Sequence, residues 1–317
     1  MSLVNAVLKG ERLALARLLT QVENDTPAGQ AALNELFPHT GQAHLIGVTG
    51  PPGSGKSSLV NHLAAALRKE TNRSVGIIAV DPSSPFTGGA LLGDRVRMRS
   101  LAGDRGVFIR SMAARGALGG LARSTAAVAQ VLDAAGFHFI LIETVGAGQS
   151  EVDIARLAHT TLVVEAPGLG DDIQAIKAGI LEIADILVVN KADRPGVENA
   201  ERALRAMLTL ANPGRKSSGE LAWSPPVLRT VASLGQGIDE LVKAIFAHVQ
   251  YLHDSGDWQA REQERIRSNL DDLVRSTLVA RWQRQLVPEH YQQVLERLCR
   301  RDISPYLAVE LLLNLEK

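Results

Sequence analysis

Eight consecutive residues, Gly50-Pro51-Pro52-Gly53-Ser54-Gly55-Lys56-Ser57, place the tightest constraint on what this chain can fold into. They follow the apolar run Leu45-Ile46-Gly47-Val48 and precede the helix-like Ser58-Leu59-Val60-Asn61-His62-Leu63. The pattern is G-x-x-x-x-G-K-S between a strand and a helix, the required context of a phosphate-binding loop. Glycines let successive backbone N–H groups turn inward at a helix N-terminus, where the helix dipole also favours negative charge. A cradle spanning Gly50 to Ser58 is expected to hold phosphate, with Lys56 reaching the β- and γ-phosphates and Ser57 coordinating a bridging Mg²⁺. An ordinary glycine-rich turn would need neither the Lys-Ser pair nor both flanks.

The 317 residues fit one full α/β domain with a helical appendage. Lysine plus arginine number 34 and aspartate plus glutamate 34, so no net basic surface argues for nucleic acid or an anionic membrane as partner. The single cysteine, Cys299, excludes an internal disulfide framework and fits a reducing compartment. Residues 1–21 alternate charged and apolar side chains and read as neither a signal peptide nor a spanning helix, so the expected location is cytoplasmic.

Short apolar runs at 44–49, 75–81, 107–110, 138–143, 161–165, 185–190 and 227–231 alternate with helical stretches at 56–69, 91–102, 120–135, 170–183, 197–211 and 237–250. Near-continuous apolar strands between helices predict a mostly parallel sheet covered on both faces, an α/β fold of the P-loop NTPase kind. Before it, residues 3–22 predict one or two short amphipathic helices broken at Gly10, and a further piece ends at Pro38. Beyond Tyr251 a long helix over 257–286 carries Ile266, Leu270, Leu273, Val274, Leu278 and Trp282 at helical spacing, and two shorter helices follow. The expected domains are an N-terminal helical extension at 1–40, a nucleotide-binding domain at 41–250 and a C-terminal helical arm at 251–317. An unburied apolar stripe on such an arm suits packing on its own domain or on a twin subunit, and a homodimer arm is the preferred reading.

Ligands of an open parallel sheet sit beyond the carboxyl ends of its strands, so the strand tips are informative. Asp81 ends the second run, where it either binds Mg²⁺ or caps the turn at Pro82. The glycine-rich segment 86–95 ends in Asp94 and Arg95, candidates for the metal shell or for transition-state charge, or else a solvated pair. Glu143 closes the fourth run where a metal-binding aspartate is more usual, and the N–H of Gly146 is placed to meet a γ-phosphate. Asn190-Lys191-Ala192-Asp193 follows the sixth run: Asp193 can accept from both N1–H and the 2-amino group of guanine, a donor pair adenine lacks. GTP is therefore the expected nucleotide, with GDP as product. After the last run, a turn at Val231, Ala232 and Ser233 would offer backbone donors to guanine O6, Ala232 and Ser233 foremost.

Taken together with Thr87-Gly88-Gly89, Leu92-Gly93-Asp94-Arg95, residues 110–120, Glu143 to Glu151 and Gly168 to Gln174, these motifs span nearly the whole chain. With them the chain resembles the ArgK/MeaB type of SIMIBI-class GTPase. That resemblance implies a slow, Mg²⁺-dependent GTPase acting as chaperone for the adenosylcobalamin enzyme methylmalonyl-CoA mutase, gating cofactor loading and protecting or reactivating it. It also implies a homodimer built through the C-terminal arm, an acidic cluster of Asp81, Asp94 and Glu143 near Mg²⁺, and a nucleotide-reporting loop at 168–179. Many relatives in the wider class carry an extra lysine early in the phosphate loop, which Gly50-Pro51-Pro52 lacks. Arg95, Arg110 and Arg115 are then candidate transition-state cations. Two other readings compete: a nickel-insertion GTPase, poorly served by eight scattered histidines and one cysteine, and a kinase that transfers the γ-phosphate.

Overall fold

A computed structural model describes residues 2–82, 101, 103–114, 120–144, 156–168, 182–211 and 222–313. The helices expected at 91–102 and 170–183 fall almost wholly outside these residues. The chain opens with α1 (Leu3–Leu8), α2 (Arg12–Glu23) and α3 (Pro27–Leu36). Gly10, with φ of 81°, makes the break between the first two, as its lack of a Cβ permits.

The centre is one sheet of seven parallel strands: β1 (His44–Thr49), β2 (Val75–Pro82), β3 (Val107–Ala114), β4 (Phe139–Glu143), β5 (Thr160–Glu165), β6 (Ile186–Val189) and β7 (Val227–Arg229). Their order across the sheet is β3-β2-β4-β1-β5-β6-β7. All seven apolar runs became strands, because a strand covered on both faces must be apolar at nearly every position. β3 runs four residues beyond its expected end at Arg110, pairing Ser111 to Ala114 with Ala79 to Pro82. As an edge strand it tolerates polar residues that interrupt the apolar pattern.

Helices α4 (Lys56–Thr71), α5 (Gly120–Ala134), α6 (Val197–Ala211) and α7 (Ile238–Ser255) flank the sheet. On one side Leu59, Leu63 and Leu67 of α4 and Leu241, Val242 and Ile245 of α7 pack on Ile46, Val48, Ile77 and Leu141. On the other, Val128 and Leu132 of α5 share a core with Val7, Leu18, Leu19 and Leu36 of the N-terminal helices and with Ile78, Val80, Phe108 and Met112. A third cluster seats Leu204 of α6 on Val163, Leu187 and Val189. Arg12 fastens α2 to the entry of β3, donating to Arg105 O at 2.8 Å and Val107 O at 2.7 Å. Arg110 pairs with Glu23, so this transition-state candidate is engaged with α2.

Helix α8 (Asp257–Gln285) roots at the amino ends of the strands, on a cluster of polar rings. Arg261 donates to both Asp185 oxygens at 2.8 Å and to His159 O at 2.8 Å. Leu45 N–H donates to His159 Nδ1 at 3.1 Å, which leaves the His159 proton on Nε2, 3.1 Å from Glu262 Oε2. Trp258 stacks on His159 with ring centres 4.1 Å apart. Thr160 Oγ1 lies 2.8 Å from His44 Nε2 and 2.9 Å from His248 Nδ1. Burial holds His44 and His159 below the usual imidazole range; at His159 the hydrogen bond to Glu262 opposes burial without overcoming it. Burial alone would raise the Glu262 carboxyl, but the hydrogen bonds from His159 and Arg265 outweigh it and bring it to about 2.

The chain divides into two compact units, Met1–Arg265 and Ile266–Lys317. The second holds the rest of α8 with α9 (Pro288–Cys299) and α10 (Pro305–Leu313), around a small core of Val294, Ile303 and Ala308. Trp282 donates to Leu312 O at 3.0 Å. Ile266, Leu270, Leu273, Val274 and Leu278 are exposed in the single chain.

Candidate nucleotide-binding site

The carboxyl ends of β1, β4 and β6 bring the predicted residues together. β1 ends at Thr49, the chain turns through Gly50 to Gly55, and α4 starts at Lys56. The glycines are required by space as well as by conformation. Gly50 has φ of 134° and a Cβ there would lie 2.0 Å from Val164 O; Gly55 has φ of 94° and its Cβ would lie 2.3 Å from Asn190 Nδ2. Lys56 Nζ donates to Gly50 O at 2.8 Å and Pro51 O at 3.1 Å. At 6% exposure Lys56 is buried, where a lysine on a loop-to-helix turn reads from sequence as facing the surface. The loop's own carbonyls compensate the burial of the charge.

Ser57 Oγ donates to Glu143 Oε1 at 2.6 Å, so the carboxylate that closes β4 sits at the first turn of α4. Ser54 Oγ is buried in the loop with no hydrogen-bond partner among the described residues. A glycine cradle, a buried ammonium, a buried unsatisfied hydroxyl and an adjacent hydroxyl–carboxylate pair fit a phosphate with a hard divalent cation.

The N-K-x-D segment is fastened to this loop from the side. Asn190 Nδ2 donates to Ser54 O at 2.8 Å, while Asn190 Oδ1 accepts from Thr230 Oγ1 at 3.1 Å and Ala232 N–H at 3.0 Å. Lys191 takes φ of 58°, a left-handed conformation unusual for a lysine, and its Nζ donates to Gly53 O at 2.6 Å. Asp193 is exposed beyond them. Ala232 N–H was one of two expected guanine donors, and the structure gives it to Asn190 instead. Val231 N–H likewise donates to Gln236 O at 3.1 Å. Ser233 is exposed at the same turn, and Ser58 lies exposed in the first turn of α4.

Asp81 pairs with Ala113 two residues beyond the Ala79–Glu143 register, with its side chain outside the described set. Asp94, Gly146, Arg95 and Arg115, and most of 82–95, 144–151 and 168–179, lie outside the described residues. One pair at the site escaped the sequence reading. Thr144 Oγ1 donates to Thr49 Oγ1 at 3.1 Å, both residues buried. Only the β1–β4 register brings them together, so nothing in the local pattern announces it.

The sequence profile described as Methylmalonyl Co-A mutase-associated GTPase MeaB matches residues 15–286. A Pyrococcus abyssi protein named as a GTPase is 45% identical over 312 residues, covering 98% of this chain and 95% of its own. GTPase ArgK of Escherichia coli K12 is 35% identical over 310 residues, covering 95% and 92%. A crystal structure described as LAO/AO transport system kinase superposes with TM-score 0.71 and 28% identity, over 98% of this chain and 95% of that one. The match of profile, relatives and phosphate-loop geometry is decisive: this chain belongs to the MeaB family of P-loop GTPases.

Proposed function

We propose that the chain is a Mg²⁺-dependent GTPase that acts as chaperone to an adenosylcobalamin-dependent methylmalonyl-CoA mutase, gating cofactor loading and protecting or reactivating the enzyme. The observation that carries the nucleotide half is the 2.6 Å contact of Ser57 with Glu143 beside the glycine cradle. In this reading Lys56 neutralises the β- and γ-phosphate oxygens, and Gly50 to Ser58 offer backbone donors. Ser57 and Glu143, with Asp81 and Asp94, hold Mg²⁺, and Gly146 N–H meets the γ-phosphate. Bound Mg²⁺ supplies charge neutralisation on the transferring phosphoryl group. Asn190 and Lys191 brace the base pocket, Asp193 accepts from guanine, and Ser233 N–H is the donor left for O6.

The mutase half is supported by the family's description as mutase-associated. The arm at 251–317 is read as a homodimer contact, since its apolar stripe is exposed in the single chain and the core of Ile266–Lys317 is small. The decisive experiment measures GTP against ATP hydrolysis with and without Mg²⁺, then pull-down of the mutase in each nucleotide state. GTP-selective, Mg²⁺-dependent turnover with nucleotide-sensitive association is expected. No mutase association in any state overturns the chaperone assignment. The kinase description of the structural neighbour favours a second reading, phosphoryl transfer; labelled phosphate appearing on anything but water would establish it.

A further inference from the structure

The tip of β4 holds the phosphate loop at both of its ends. Glu143 accepts from Ser57, one residue beyond Lys56, at 2.6 Å, and the next residue, Thr144, donates to Thr49, one residue before Gly50, at 3.1 Å. Side chains alternate along a strand, so Glu143 and Thr144 reach the loop from opposite faces of the sheet. Thr144 N–H also donates to Val48 O at 3.1 Å, carrying the β1–β4 ladder one residue past Glu143. Thr49 is 0% and Thr144 2% exposed, so neither hydroxyl can exchange its partner for bulk water. On the far side of β1, the close approach of Gly50 to Val164 O fixes the loop entry against β5.

We propose that Thr49 and Thr144 are a positioning pair for GTP hydrolysis. The pair acts by locking the start of the phosphate loop to the carboxyl end of β4. Without it, the Ser57–Glu143 contact still closes the far end of the loop, so nucleotide is retained while the reacting geometry loosens. Misplacement on the scale of 1 Å costs up to about a hundredfold in rate.

The inference rests on the GTPase reading, and the experiment separates the two. Fluorescent GDP affinity and single-turnover GTP hydrolysis are measured for the full chain and for Thr144→Val, Thr144→Ser, Thr49→Val and the double Thr49→Val/Thr144→Val variant. Thr144→Val is expected to lower kcat about tenfold with GDP affinity within about threefold of the parent, while Thr144→Ser stays near it. The double variant should be no slower than the slower single one, because two groups acting through one bond are not additive. Unchanged kcat in Thr144→Val, equal loss of kcat and GDP affinity, or additive losses would each overturn the pair. Should Thr144→Val fail to fold, Thr49→Val against Thr144→Ser decides: both slow or both unchanged defeats the proposal. A parent protein that binds no GDP would sink the nucleotide reading instead.

Discussion

Ser57 Oγ and Glu143 Oε1, 2.6 Å apart, join the first turn of α4 to the end of β4. A carboxylate held there supplies charge as well as an acceptor, and the two roles separate on substitution. Glu143→Gln keeps the acceptor and removes the charge. GTP turnover should fall by about a hundredfold or more, with a raised Mg²⁺ requirement and GDP binding largely kept, in a hydrolysis assay against Mg²⁺ concentration.

Lys56→Ala is expected to reduce hydrolysis by about 10²–10³-fold, since no other cation in the described loop reaches the same carbonyls. Because Lys56 is buried, the variant should also lose about 1–2 kcal/mol of stability, read as a lower unfolding temperature. The fold should persist by circular dichroism.

Asp193→Asn presents an amide where guanine offers two donors. GDP affinity should drop by about a hundredfold, while the weak binding of ADP should hardly change. Competition titrations with fluorescent GDP measure both.

The imidazoles at the root of α8 give the chain an acid limit. His44 and His159 are held neutral in the fold, with pKa values below the 6.5 of an unfolded histidine. Below pH 6.5 the unfolded chain binds protons that the fold refuses. Their stabilising contribution is therefore complete above that pH and is lost as pH falls toward the folded values. The slope is at most about 1.4 kcal/mol per pH unit for each imidazole. Unfolding temperatures recorded from pH 7.5 to 5.5 should fall on the acid side. His159→Gln, which keeps an acceptor for Leu45 N–H, should flatten the curve.

Arg261 forks onto Asp185, whose carboxylate is buried. Arg261→Met leaves that charge with His248 Nε2 at 3.3 Å and Thr161 N–H at 2.8 Å. A loss of about 2–3 kcal/mol is expected, at the low side for a broken buried pair because Arg261 keeps solvent access. Thermal unfolding checks it, and GTP turnover at neutral pH should be unaffected.

The seven strands were legible because double burial leaves an apolar signature that survives without knowledge of neighbours. The phosphate loop was legible because Gly50 and Gly55 have no substitute where Val164 O and Asn190 Nδ2 crowd them. What stayed hidden is made by register. Thr49 and Thr144 are 95 residues apart, and His44, Asp185 and His248 meet only because the amino ends of parallel strands converge on α7. Neither grouping leaves any spacing in the sequence. The burial of Lys56 was hidden for the same reason, since the carbonyls that accept from it belong to a loop whose shape must be known first.

The N-terminal helices have a practical consequence for anyone dissecting the protein. Val7, Leu18, Leu19 and Leu36 share one core with Val128 and Leu132 of α5 and with Ile78, Val80 and Met112, and Arg12 and Glu23 are stitched to β3. Trimming the chain to Gln42 to isolate a minimal nucleotide-binding fragment would uncover the apolar outer face of α5 and remove the partners of Arg110 and Val107 on β3. Such a fragment would precipitate or self-associate rather than report on nucleotide binding, so truncation studies of this GTPase must begin upstream of Val4.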